Sequence, residues 1–190
     1  MTSRSILWRR LDRVGLEAAS IEHGNPNWHL QGTVLLDDEG RPCRLDYAVV
    51  CDGAWRTLWA RVNGWIGHTQ VTQRVSRGPA GEWRQNGAVC PAIQGCLDVD
   101  LAFTPITNLL PIRRLNLAIG ASATVRAAWL RFPDFALVPL EQTYTRESER
   151  RYRYESGNGS FSAPLEIDEM GLVLRYGTIW QAETSYNGTA

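Results

Sequence analysis

Apolar and polar residues alternate with a period of two along most of this chain, the spacing of strands that bury one face. Over residues 43–51, for example, Leu45, Tyr47 and Val49 fall on one side while Arg44, Asp46 and Ala48 fall on the other. The same rule predicts strands over 28–36, 43–51, 55–65, 68–77, 124–131, 136–146, 151–155, 161–167 and 172–175. Between them, Asp37-Asp38-Glu39-Gly40-Arg41-Pro42, Ser156-Gly157-Asn158-Gly159 and Asp168-Glu169-Met170-Gly171 carry turn chemistry. Helix signals are weak. Residues 7–21 have some amphipathic character, but Gly15 interrupts it and 8–11 read equally well as a strand. Many short, mostly antiparallel strands with closely spaced turns predict an all-β roll, barrel or sandwich.

Composition narrows the function classes. A chain of 190 residues, 44% hydrophobic and 21% charged, suits one domain over 1–190 that buries its own core. Twenty arginines balance 20 acidic residues, so no basic footprint for nucleic acid is expected. Neither a signal peptide's apolar core nor a run of roughly 20 apolar residues is visible, which makes cytoplasmic residence without a transmembrane segment the expectation. Cys43, Cys51, Cys90 and Cys96 lack the spacing of a zinc site and are expected to be buried thiols. His23, His29 and His68 share no ligand spacing, so neither metal nor cofactor is expected. A Gly-x-Ser-x-Gly elbow is missing, and a phosphate loop would need a lysine the chain does not have.

Candidate chemistry concentrates in residues 95–115, GCLDVDLAFTPITNLLPIRRL. As a strand, 96–101 turns Leu97, Val99 and Leu101 inward and sets Asp98 and Asp100 on the opposite face, alpha carbons about 6.6 Å apart at roughly 3.3 Å per residue. Two carboxylates so placed can act as the acid and base of a glycosidase, or can ligate a divalent cation. The structural alternative is an ion-pair network with Arg113 and Arg114, just beyond a turn built from Thr104, Pro105, Thr107 and Asn108. Tryptophan is the other conspicuous residue type, with eight in the chain. Trp55, Trp59 and Trp65 stand at even spacing, so one face of a single strand can carry all three, either as core or as the lining of a groove.

The central segment resembles the signature of the putative glycolipid-binding family of small bacterial proteins. The shared pattern is Gly95-Cys96, Asp98 to Leu101, Thr104-Pro105, Thr107-Asn108 and Leu110 to Leu115. Further blocks are similar: 47–52 with Trp55-Arg56-Thr57, 142–145, 152–156, and Gly171-Leu172-Val173 with Tyr176. Gly177 stands where the family pattern has proline, and Leu109 replaces a small polar residue, both in local turns. The resemblance implies a spiral β-roll, an incomplete barrel, and a lipid or glycolipid as partner.

Two classes of function follow, with a third beside them. The first is non-enzymatic binding of a lipid or glycolipid in a concave groove. Its candidate residues are Trp55, Arg56, Trp59, Asp98, Asp100, Asn108, Arg113, Arg114, Tyr144 and Tyr154, since an acyl chain needs apolar walls and a head group needs directed donors. The second is a carbohydrate-active enzyme working through Asp98 and Asp100. The third is a scaffold whose groove takes a protein. Carboxylates tied to arginine would speak for architecture, and carboxylates open to a pocket for chemistry.

Overall fold

The computed structural model describes residues 2–189. The chain forms β1 (Thr2–Arg10), β2 (Gly15–Gly24), β3 (Asn27–Asp38), β4 (Arg41–Cys51), β5 (Thr57–Ile66), β6 (Thr69–Arg77), β7 (Trp83–Gln85), β8 (Ala88–Val89) and β9 (Val99–Leu101). After these come α1 (Leu109–Leu115), then β10 (Ser122–Leu130), β11 (Leu137–Ser148), β12 (Arg151–Ser156), β13 (Phe161–Ile167), β14 (Val173–Tyr176) and β15 (Trp180–Thr189). All fifteen strands belong to one sheet, in the order β8-β7-β6-β5-β4-β3-β2-β1-β15-β14-β13-β12-β11-β10-β9. Every pairing is antiparallel except β9 with β10.

A sheet of this width twists too strongly to stay open, and this one rolls up on itself. Its β9–β10 edge lies inside the roll over 99–101 and 127–130, with one face in the main core. Val99, Leu101, Ala128 and Leu130 join the main core, beside Trp8, Ile21, Leu30, Leu45, Val62 and Trp83 from the first half of the sheet. The alternate residues, Asp100 and Trp129, are paired across the β9–β10 ladder and face the second concavity. A smaller core there joins Ile112 of α1 to Tyr144, Tyr152, Tyr154, Leu165, Ile167 and Val173. The inner edge is tied down where the Thr57 N–H donates to the Leu97 carbonyl and the Thr57 hydroxyl accepts from the Val99 N–H, both at 2.9 Å. A sheet edge that would otherwise invite pairing is thereby closed.

A second tie runs through the interior. The Glu17 carboxylate on β2, fully buried, accepts hydrogen bonds from the Tyr47 hydroxyl at 2.5 Å and the Thr104 hydroxyl at 2.6 Å. Its other oxygen, Oε2, has no partner among the described residues. Burial pushes the Glu17 carboxyl up to about 8, against the lowering effect of those two hydrogen bonds.

Two local expectations change. Residues 7–21 form the β1–β2 hairpin, with Trp8, Ala19 and Ile21 buried at strand spacing. Residues 109–115, just beyond the expected turn and assigned no element from the sequence, are the helix α1. Pro111 is tolerated there because it sits in the first turn, whose N–H groups have no intrahelical acceptor. Asn116 ends the helix in the left-handed conformation, φ +43°, with its N–H on the Ile112 carbonyl. Cys43, Cys51 and Cys96 are buried, and burial pushes the Cys43 and Cys51 thiols up to about 11 and about 12. No helix among the described residues is long and apolar enough to cross a membrane.

Candidate functional site

Because successive hairpins alternate in direction, the turns at 11–14, 39–40, 67–68, 131–136, 157–160 and 177–179 gather at one rim of the roll. The turns at 52–56, 149–150 and 168–172 gather at the other. At the first rim the second concavity opens as a cavity of about 460 Å³. Residues from β1, β9, β10, β11, β12, β13, β14 and β15 reach it, together with the segment entering α1.

Its walls are aromatic and aliphatic: Trp129, Leu140, Tyr154, Phe161, Tyr176, Ile179 and Trp180. Tyr154 lies 5.8 Å from Tyr176 and 6.0 Å from Phe161, and Phe161 lies 6.2 Å from Tyr176, all edge-on. Edge-on rings of this kind hold one another in fixed orientation. Arg10 stands over Trp180, 5.1 Å from the ring centroid, and its Nε donates to the Asp12 carboxylate at 2.7 Å.

Polar groups are few and fixed. Gln142 donates its amide to Asp100 Oδ2 at 2.5 Å and to the Tyr154 hydroxyl at 3.0 Å. No described protein donor reaches Asp100 Oδ1, and no arginine pairs with this residue. Burial pushes the Asp100 carboxyl up to about 6, with the Gln142 hydrogen bond pulling the other way. Asn108 accepts from the Tyr144 hydroxyl at 3.0 Å and donates to the Pro105 carbonyl at 3.1 Å. Thr104 lines the cavity with its hydroxyl already committed to Glu17.

The structure thus brings Asp100, Asn108 and Tyr154 together around one cavity, with Tyr144 one hydrogen bond behind them. It separates Asp98 from that group. Arg114 grips Asp98 through Nε on Oδ1 at 3.0 Å and Nη2 on Oδ2 at 2.5 Å, and Asp98 is only 1% exposed. The two aspartates therefore do not line the same cavity.

The remaining candidates lie elsewhere. Trp55 precedes β5, in a turn held by Asp52, with φ +64°. It is buried, stacked on Trp28 at 4.5 Å, with Arg113 capping it at 5.4 Å. Arg113 borders a second hollow at the other rim, shared with Arg146, Arg150 and Tyr152. Arg56 pairs with Asp52 at 2.8 Å in an exposed turn. Trp59 is exposed on β5, and Trp65 borders an apolar hollow with Leu16 and Leu35, so the three even-spaced tryptophans share no groove.

Trp129, Phe161, Tyr176, Trp180 and Arg10 were not singled out from sequence. They come from five strands: Tyr176 and Trp180 pair directly across the β14–β15 hairpin beside Phe161 on β13, Arg10 joins them through the β1–β15 pairing, and Trp129 on β10 reaches them through the rolling of the sheet. Among the described residues no cluster of His, Cys, Asp and Glu is placed to hold a metal ion.

Comparison with known proteins adds three findings. The model of a family described as "Putative glycolipid-binding" matches residues 5–182. The crystal structure of a DUF1089 family protein from Pseudomonas aeruginosa is similar with a TM-score of 0.78 and 32% identity, over 87% of this chain and 91% of that one. A beta-barrel-like protein of the domain of unknown function DUF1849 from Brucella abortus matches with a TM-score of 0.57 over 100% of this chain and 98% of that one. At 8% identity the last likeness concerns the fold alone. Among curated proteins none matches the chain. The family match spans nearly the whole roll, both cores and every wall of the cavity, and the chain belongs to the family described as "Putative glycolipid-binding".

Proposed function

We propose that the chain is a non-catalytic binder of a glycolipid, held in the cavity at the first rim. The observation that carries this reading is the pairing of five aromatic rings with a single arginine-free carboxylate in one half-open cavity. Rings and aliphatic side chains supply apolar wall, and a small number of placed polar groups orients the ligand, the usual make-up of a small-molecule site. The family's description points the same way.

A carbohydrate-active enzyme is the second reading, favoured by the raised Asp100 carboxyl. Glycoside hydrolysis by the common route needs two working carboxylates across the scissile bond. Asp98 is held by Arg114, and Glu17 is sealed in the core behind Thr104, so neither stands ready as the partner of Asp100.

The test is native mass spectrometry of protein purified without detergent, before and after incubation with a bacterial lipid extract. A mass adduct that releases a glycolipid on organic extraction is expected, together with a rise in melting temperature. If no lipid or glycolipid shifts either mass or melting temperature, the binding reading fails.

A further inference from the structure

We infer that the cavity takes the sugar end of the ligand, with Asp100 accepting hydrogen bonds from sugar hydroxyls, and that it excludes anionic head groups. This rests on the glycolipid-binding reading above and names which part of the ligand enters, and why.

The argument is an inventory of what the polar groups can still do. Gln142 has spent both N–H groups, on Asp100 and Tyr154. Thr104 gives its proton to Glu17 and accepts from the Ile106 N–H. Asn108 has its carbonyl on Tyr144 and one N–H on Pro105, which leaves a single N–H. Among the described residues lining the inner end, Asp100 Oδ1 is the carboxylate oxygen that no protein donor reaches, and a carboxylate oxygen takes charge-assisted hydrogen bonds from hydroxyls.

An anion meets the wrong field there. It would sit beside the Asp100 carboxylate, and Arg10, the cation of the lining, is already neutralised by Asp12. Like charges brought together out of water repel strongly, and the ligand would lose its hydration for no paired contact. A quaternary ammonium suits the carboxylate and the rings, but the Trp180 face that would hold it already carries the Arg10 guanidinium. A neutral sugar ring meets none of these objections. Its hydroxyls can reach Asp100, Asn108 and the rim serines Ser156 and Ser160, while its apolar face lies on Tyr154, Tyr176 or Trp129. The aglycone then leaves past Phe161 and Ile179 at the mouth.

The experiment compares four probes with one eight-carbon chain, each below its micelle-forming concentration: octyl β-glucoside, octyl phosphate, octanoate and octyltrimethylammonium. Isothermal titration of the wild-type protein is expected to rank the glucoside about tenfold or more above the others, the weight of one hydrogen bond to a charged group. Asp100→Asn, close to isosteric, should lose about tenfold for the glucoside and narrow the gap to octyl phosphate. The wild-type ranking needs no variant, so a folding defect in Asp100→Asn does not rescue the idea. Octyl phosphate, octanoate or the ammonium binding as tightly as the glucoside overturns the sugar-first inference while leaving lipid binding intact. Binding of none of the four overturns the inference too, and the detergent-free extraction then decides separately whether a glycolipid binds at all.

Discussion

Tyr47 on β4 reaches Glu17 on β2 by crossing β3 at Gly32, where a Cβ would lie 2.5 Å from the Tyr47 hydroxyl oxygen. The glycine is thus a window in β3 rather than a turn residue, and the Ala18 carbonyl, 2.9 Å from the same point, closes off retreat. Gly32→Ala is expected to cost about 1–3 kcal/mol, the range for overpacking a tight core. Urea unfolding measures it, and a change within error would mean that Tyr47 swings aside without loss.

Glu17 makes the stability of the roll depend on pH. Its carboxyl is raised in the fold to about 8 from an ordinary 4.5, so the folded state keeps a proton that the unfolded chain releases. Stability from this group is complete below about 4.5 and is lost progressively as pH rises through about 8. Glu17→Gln abolishes that dependence, so the stability difference between variant and wild type should move in the variant's favour between pH 5 and 9. Denaturant titrations across that range check it; a difference that stays flat would show that Glu17 ionises freely in the fold.

Arg113 and Arg114, adjacent in α1, have different work. Arg114 neutralises the buried Asp98, whereas Arg113 is exposed and caps Trp55. Arg114→Ala strands a buried carboxylate and should cost about 3–5 kcal/mol. Arg113→Ala removes one cation–π contact at the surface and should cost about 1 kcal/mol or less. Equal unfolding midpoints for the two variants would refute this division.

The alternation of residues announced β3 to β6 and β9 to β14, because an antiparallel sheet with one buried face writes a period of two into its sequence, but it did not announce β1, β2 and β15. The Asp–Arg network was also legible, since Asp98 and Arg114 lie within one short segment. What local spacing cannot carry is which strands meet. Trp129 on β10 meets Tyr176 and Trp180, themselves paired across the β14–β15 hairpin, through the rolling of the sheet, and Trp55 leaves its strand because the chain turns at Asp52. Seven residues of helix holding a proline also fall below what periodicity detects.

Binding itself should titrate with Asp100. Only the ionised carboxylate offers a charge-assisted acceptor, and its carboxyl is raised to about 6. Glycoside affinity should therefore hold above that value and fall as pH drops through it. The groups around it are Gln142, Tyr144, Tyr154, Tyr176 and Asp98, and the three phenols stay neutral because burial raises them further. A pH-independent affinity in the wild-type protein, or the same pH profile in Asp100→Asn, would assign the ligand's hydroxyls to other partners.

Intrinsic fluorescence separates the cavity from the rest of the aromatic content. Trp129 and Trp180 line the cavity, whereas Trp55 is buried against Trp28 near the other rim and Trp59 faces outward on β5. A sugar or acyl chain entering the cavity displaces water from the half-buried Trp129 indole, packs against the buried Trp180, and leaves the other two in unchanged surroundings. Octyl β-glucoside should therefore alter the emission of wild type, Trp55→Phe and Trp59→Phe alike. The response should shrink in Trp129→Phe and in Trp180→Phe. A ligand response that survives in the Trp129→Phe/Trp180→Phe double variant and vanishes in Trp55→Phe would move the binding site to the opposite rim, beside Arg113 and Tyr152.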